Sequence, residues 1–268
     1  MLRFSYGTES HVGLVREHNE DAGFAGPYLL LVADGVGGAA AGEVASATTS
    51  YVVTALAMGR PDADGPTLLS EAVVAAHREL RQGALEDESR HGMATTLTAV
   101  LARGDRVTLA QVGDSRAYLL RAGGLERLST DQTLVQLLVD KGELPAERVA
   151  QHPFRNVVLQ SVNGDEPVMP ALRELDVAVG DRLLLCSDGL TDFVTEPEIS
   201  AVMGTPDPDD AARELVGLAL AAGGRDNVTC LVGDLVDGPR VNTVGRLLGA
   251  MMDPHLVLDP AAIHAGTP

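Results

Sequence analysis

The chain has 268 residues, 45% of them hydrophobic, enough for one large domain with a sizeable core. Acidic residues outnumber basic ones 38 to 20, and the resulting net charge of −18 argues against nucleic acid or an anionic membrane as partner. No run approaches the roughly 18 consecutive apolar residues that span a bilayer, and MLRFSYGTES has no apolar signal region behind Arg3, so a soluble cytoplasmic protein is expected. In chain order, Val- and Leu-rich runs predict strands at 10–15 and 28–33, followed by helices at 41–58 and 67–90 around a loop at 59–66. Strands follow at 96–102, 106–112 and 116–121, then a helix at 130–142 opened by a Thr or Asp cap and closed by Gly142. A surface flap at 143–156 leads to strands at 157–162, 171–177 and 182–187, a helix at 207–224 and a last strand at 227–236.

Strand groups interrupted by helix pairs, without βαβ alternation, predict an α+β fold of antiparallel sheets covered by helices. The strand pattern ends after Pro239. The expected division is a catalytic domain over 1–238 and an extension over 239–268, a short helix around Leu247-Leu248 and Met251-Met252 followed by a flexible tail. The cysteines, Cys186 and Cys230, lie in apolar strand runs with no CxxC or Cys/His neighbour, which argues for packing and against zinc.

The most informative pattern is a repeated one. YLLLVADG, VTLAQVGD and DRLLLCSDG each end an apolar run in aspartate, at Asp34, Asp114 and Asp188. Asp226 directly precedes a strand, and Glu20 with Asp21 follows HVGLV. A single strand-end aspartate is ordinarily a turn or cap residue. Several in one domain raise one another's pKa unless a cation sits among them. An all-oxygen set suits Mg²⁺ or Mn²⁺ better than zinc, and a two-metal carboxylate site is a known device for phosphoryl hydrolysis. DGVGG at 34–38 lacks the Lys-Ser/Thr of a P-loop; its glycines let the backbone approach a metal closely, with the Gly35 carbonyl as a possible ligand.

REHNED (16–21), DGVGG (34–38), GMATT (92–96), GDSR (113–116), SDGL (187–190) and RDNVT (225–229) occur in that order. Together they resemble the metal-dependent, type 2C (PPM) serine/threonine protein phosphatases, in their compact bacterial form. The resemblance implies a central antiparallel β-sandwich flanked by pairs of helices, with the site at one end. It implies two Mg²⁺ or Mn²⁺ ions and a third, weaker one. Asp34 would bridge two ions, Asp188 and Asp226 would complete the first site, and Glu20 with the Gly35 carbonyl the second, Asp21 assisting through water. Asp114 and Asp192, with Asp188, match the third position, and Arg16 matches the arginine that grips the substrate phosphate.

The implied activity is hydrolysis of phosphoserine and phosphothreonine in proteins by water activated between two cations, carried out by a monomer whose partners include a serine/threonine kinase. The alternatives are a silent, phosphatase-like regulatory module and a phosphatase of a small phosphate ester. Val36 stands where many eukaryotic relatives carry a histidine, which leaves the general acid unassigned. Asp131-Gln132 replaces a common Asp-His, and Leu159-Gln160-Ser161 replaces a usual Thr-Arg. Both departures flank the flap near 140–165 and bear on substrate preference. His18, inside REHNED, is expected to be a loop residue.

Overall fold

The computed structural model describes residues 1–36, 41–165, 167–242 and 244–260. Among the described residues, twelve strands form two antiparallel sheets. β1 (Leu2–His11), β11 (Val228–Asp237), β10 (Arg182–Cys186), β7 (Arg116–Arg121) and β8 (Gly124–Arg127) lie side by side in that order in the first. The second runs β12 (Arg246–Gly249), β2 (Asp21–Ala25), β3 (Leu29–Val36), β5 (Leu97–Arg103), β6 (Arg106–Val112) and β9 (Ala171–Leu175), with β4 (Ala94–Thr95) paired to the end of β3. The sheets face each other, and helices cover both outer surfaces, α1 (Ala41–Gly59) and α2 (Gly65–Glu86) on one side. On the other side lie α4 (Asp188–Thr191), α5 (Glu196–Val202) and α6 (Pro208–Ala221), while α3 (Leu134–Asp140) stands near the flap. This is the expected α+β sandwich. Among the described residues no helix is long and apolar enough to cross a membrane.

The period-2 geometry of a strand explains why these runs are apolar throughout. In β3, Leu30 and Val32 point between the sheets while Leu29, Leu31 and Ala33 point to the helices. In β10, Leu183 and Leu185 face inward, and Leu184 and Cys186 pack against the helices with Cys230. With both faces buried there is no polar side to alternate. The helices start where caps dictate: the Asp64 side chain accepts from Thr67 N ahead of Pro66, and Asp207 accepts from Asp209 N and Asp210 N.

Several elements differ from the sequence expectation. The first strand occupies 2–11 instead of 10–15, because residues 2–11 pair in unbroken register with β11 and the chain turns after His11. Residues 157–162 form only isolated bridges, Thr133 to Val158 and Thr95 to Val162. The helix expected at 130–142 contracts to Leu134–Asp140 behind a Thr133 cap. After Pro239 the chain forms an edge strand, β12, antiparallel to β2, and then two 3₁₀ turns, in place of the short helix. Leu248 and Met251 are buried there. The expected flexible end falls on 261–268, and the glycine loop on Gly37-Gly38, outside the described residues.

Candidate active site

Antiparallel alternation brings the acids together. β2, β7 and β11 begin at the same end of the sandwich where β1, β3, β6 and β10 finish. Asp34 continues the inward face of Leu30 and Val32, and Asp21 lies directly opposite it across the β2–β3 pair. Asp188 follows β10, Asp226 precedes β11, and Asp114 lies in the turn from β6 to β7. The core between the sheets therefore closes at this end with carboxylates in place of leucines.

Asp21 is fully buried. Its Oδ2 accepts from Ser187 Oγ at 2.7 Å, while its Oδ1 is buried without a partner. Burial pushes its pKa up to about 6, although the Ser187 hydrogen bond and the nearby Thr229 hydroxyl favour the ionised form. Asp34, partly accessible at the mouth, is raised well above the usual carboxylate range by desolvation and then by Asp21, Asp188, Asp114 and Asp226. Desolvation, with Asp114 and Asp192 next, lifts Asp188 to about 8. Asp114 rises to about 6, chiefly by desolvation and then Asp131. Glu20 and exposed Asp192 are also raised, in both cases first by desolvation.

Supporting polar groups fix the backbone around these acids. Asn227 Oδ1 accepts from Glu20 N at 2.7 Å, and its Nδ2 donates to Val12 O and His18 O, each at 2.9 Å. Ser10 Oγ lies 2.8 Å from Thr229 Oγ1 and accepts from Asn19 Nδ2. Thr96 Oγ1 accepts from Asp34 N at 2.9 Å and meets Ser115 Oγ at 2.7 Å. Gln132 Oε1 accepts from Gly113 N at 2.7 Å and Gln111 Nε2 donates to Gly113 O at 3.2 Å, bracing the turn that carries Asp114. Sequence reasoning assigned no role to Asn227, Ser187 or Thr229; the signal was present, since all three fall inside the matched motifs.

Arg16 Nη2 donates to Asp226 Oδ2 at 2.9 Å, and both side chains are about half exposed, at 51% and 42%. The hydrogen bond from Arg16 to Asp226 raises the pKa of the guanidinium. Its partner is thus Asp226 and not the adjacent Glu17 or Glu20. His18 is exposed, 3.5 Å from Glu43, and Val36 is exposed.

The residues fit divalent cations on three observations. The donors are all oxygens, Asp21 Oδ1 is an orphaned buried acceptor, and the like-charged neighbours hold their pKa values up. A Cβ on Gly35 would come within 2.3 Å of Gly42 O and 2.6 Å of Glu20 O, so only glycine allows this close backbone approach. Among the described residues no group of three or more His, Cys, Asp or Glu side chains is arranged to hold a metal ion as it stands. The carboxylates stand as repelling neighbours.

Fold and site together define a class: helix-flanked antiparallel sandwiches with an all-oxygen acidic site at one end. The chain belongs to the protein phosphatase 2C family, whose model matches residues 15–218. It is 43% identical over 253 residues to the serine/threonine protein phosphatase PstP of Mycobacterium tuberculosis, covering 93% of this chain and 48% of the relative. It therefore spans about half the length of that relative. Identity to the serine/threonine phosphatase Stp of Listeria monocytogenes is 33% over 235 residues, 82% of this chain and 91% of the relative. A crystal structure of the PstP catalytic domain in complex with two manganese ions superposes with a TM-score of 0.83 at 41% identity, over 88% of this chain and 100% of that one.

Proposed function

We propose that the chain is a Mg²⁺- or Mn²⁺-dependent phosphatase that hydrolyses phosphoserine and phosphothreonine in proteins. The observation that carries this reading is the crowding of Asp21, Asp34, Asp114 and Asp188, whose mutual repulsion and desolvation a divalent cation would relieve. On the family likeness, Asp34 would serve two ions, with Asp188 and Asp226 completing one site, Glu20 and the Gly35 carbonyl the other, and Asp21 in support. Asp114, Asp188 and Asp192 would hold a weaker third ion. The ions, when bound, supply Lewis-acid polarisation of the phosphoryl group and acidify water.

The protein's own groups then have distinct tasks. Ser187 favours the ionised form of Asp21 by donating to it. Asn227 ties the Glu20 backbone to the start of β11. Arg16, which shares Asp226 at the rim, can turn its planar guanidinium fork to a phosphate and grip two of its oxygens in bidentate fashion. Val36 cannot move a proton, so it does not serve as the general acid for the leaving alkoxide. Phosphoprotein substrates, a serine/threonine kinase among them, and action as a cytoplasmic monomer complete the reading; these rest on the family likeness alone.

Turnover of a phosphothreonine peptide with Mn²⁺, with Mg²⁺ and with EDTA tests the proposal. Metal-dependent release of phosphate supports it. Turnover of p-nitrophenyl phosphate but not of the peptide would move the assignment to a small ester, and turnover of neither would leave a silent regulatory module.

A further inference from the structure

Beside the carboxylates lies a small recess of about 100 Å³ lined by Asp114, Asp188, Asp192 and Arg155 among others. It continues across Asp131, Thr133 and Gln136, which line both spaces, into an open groove of about 440 Å³ between α3 and the edge strand β9. The link is structural as well as spatial, because Gln132 on the groove wall holds Gly113, the residue before Asp114.

The far end of this groove is apolar and open to solvent. Leu137, Leu159 and Leu172 line it with 39%, 48% and 39% of their surfaces exposed. Three half-exposed leucines from a helix, a loop and a strand, facing one space, are an uncovered apolar wall. The polar groups in the groove are largely spoken for. Asp131 is held by Arg116 at 2.6 Å, and Asp140 accepts from Gln136 at 2.8 Å. Arg173, the one cation in the lining, donates to Leu128 O at 3.2 Å and pairs with Glu126 at 3.6 Å. Within the groove lining itself, among the described residues, no unpaired cation awaits an acidic side chain, and the net charge of −18 opposes one at longer range. The exposed amide of Gln160 on the rim can both donate to and accept from a peptide backbone. Gln132 and Leu159-Gln160 all line this groove.

We infer that this groove binds the polypeptide segment flanking the phosphorylated residue and selects an apolar side chain there over a polar or acidic one. The inference rests on the phosphatase reading of the adjoining carboxylates. Its occupant is a phosphoprotein substrate, since the groove is continuous with the site that would take the phosphate and carries main-chain and apolar complementarity in one stretch.

Phosphothreonine peptides that differ only in flanking residues, with Leu, Ser or Asp scanned across the neighbouring positions, provide the test, with p-nitrophenyl phosphate as the flank-free control. The wild-type chain is expected to prefer Leu over Ser at one or two positions by about tenfold in kcat/KM, as burial of one aliphatic side chain predicts, and to disfavour Asp further. The double substitution Leu137→Ser and Leu172→Ser should erase the preference while leaving p-nitrophenyl phosphate turnover unchanged, at a modest cost in thermal stability since both side chains are partly buried. Equal turnover of all peptides by the wild type, with the small ester hydrolysed, overturns the groove alone. A preference that survives the double substitution does the same. Failure to hydrolyse even the small ester overturns the phosphatase reading and the groove with it.

Discussion

At the scale of single residues, the site departs from ordinary protein chemistry because the inward face of a sandwich ends in carboxylates. Asp21 illustrates the consequence. Its folded pKa near 6 lies above the ordinary value of about 4. Between those pH values the folded chain binds more protons than the unfolded one, so the metal-free protein loses stability as pH rises from about 4 to about 6 and does not regain it above. Asp21→Asn removes that loss. In EDTA at pH 8 the variant should be more stable than wild type by on the order of 1–3 kcal/mol, with the difference vanishing near pH 4, as chemical denaturation at the two pH values would measure. Arg16→Ala should leave the melting temperature unchanged, because the side chain is about half exposed, yet lower kcat/KM for a phosphopeptide by roughly 10- to 100-fold. Asp34, Asp114 and Asp188 were legible in the sequence because each closes an apolar run. Asn227 and Ser187 fall inside the matched motifs, but which group each holds is fixed only when distant strands become adjacent.

At the scale of elements, strands with both faces buried were the legible part: LLLVA and RLLLC read as continuous apolar runs and form β3 and β10. Short or mixed strands were not. β2, DAGFA, has too little pattern to register, and its status depends on the partners on either side, β3 and β12. β12 itself is an edge strand that exists through tertiary pairing, as local propensity would not predict. It ends at Gly249, whose φ of +55° and a Cβ position only 2.0 Å from Asp21 O demand glycine. Leu258 N further bonds Thr48 Oγ1 at 3.0 Å, tying the same segment to α1. Truncation after Pro239 should therefore cost roughly 3–5 kcal/mol, the burial of a few aliphatic side chains, and weaken Mn²⁺ binding beside Asp21. Thermal melts and calorimetry on the shortened chain would check both; an unchanged melting temperature would identify the segment as dispensable.

At the scale of the whole molecule, topology does what no local feature can. Antiparallel order brings many strand termini to one end, so acids separated by up to 206 positions, from Glu20 to Asp226, share one neighbourhood. The opposing charges are scarce, and the molecule carries a net −18. Cation binding to this end is expected to release protons near pH 6, because carboxylates held above their ordinary range must ionise to become ligands. The most direct test of the central claim is a calorimetric Mn²⁺ titration of the wild-type chain and of Asp34→Asn near pH 7. The account predicts at least two ions bound by the wild type and loss of both tight sites in the variant, which lacks the bridging carboxylate. Identical stoichiometry and affinity in the two proteins would contradict it.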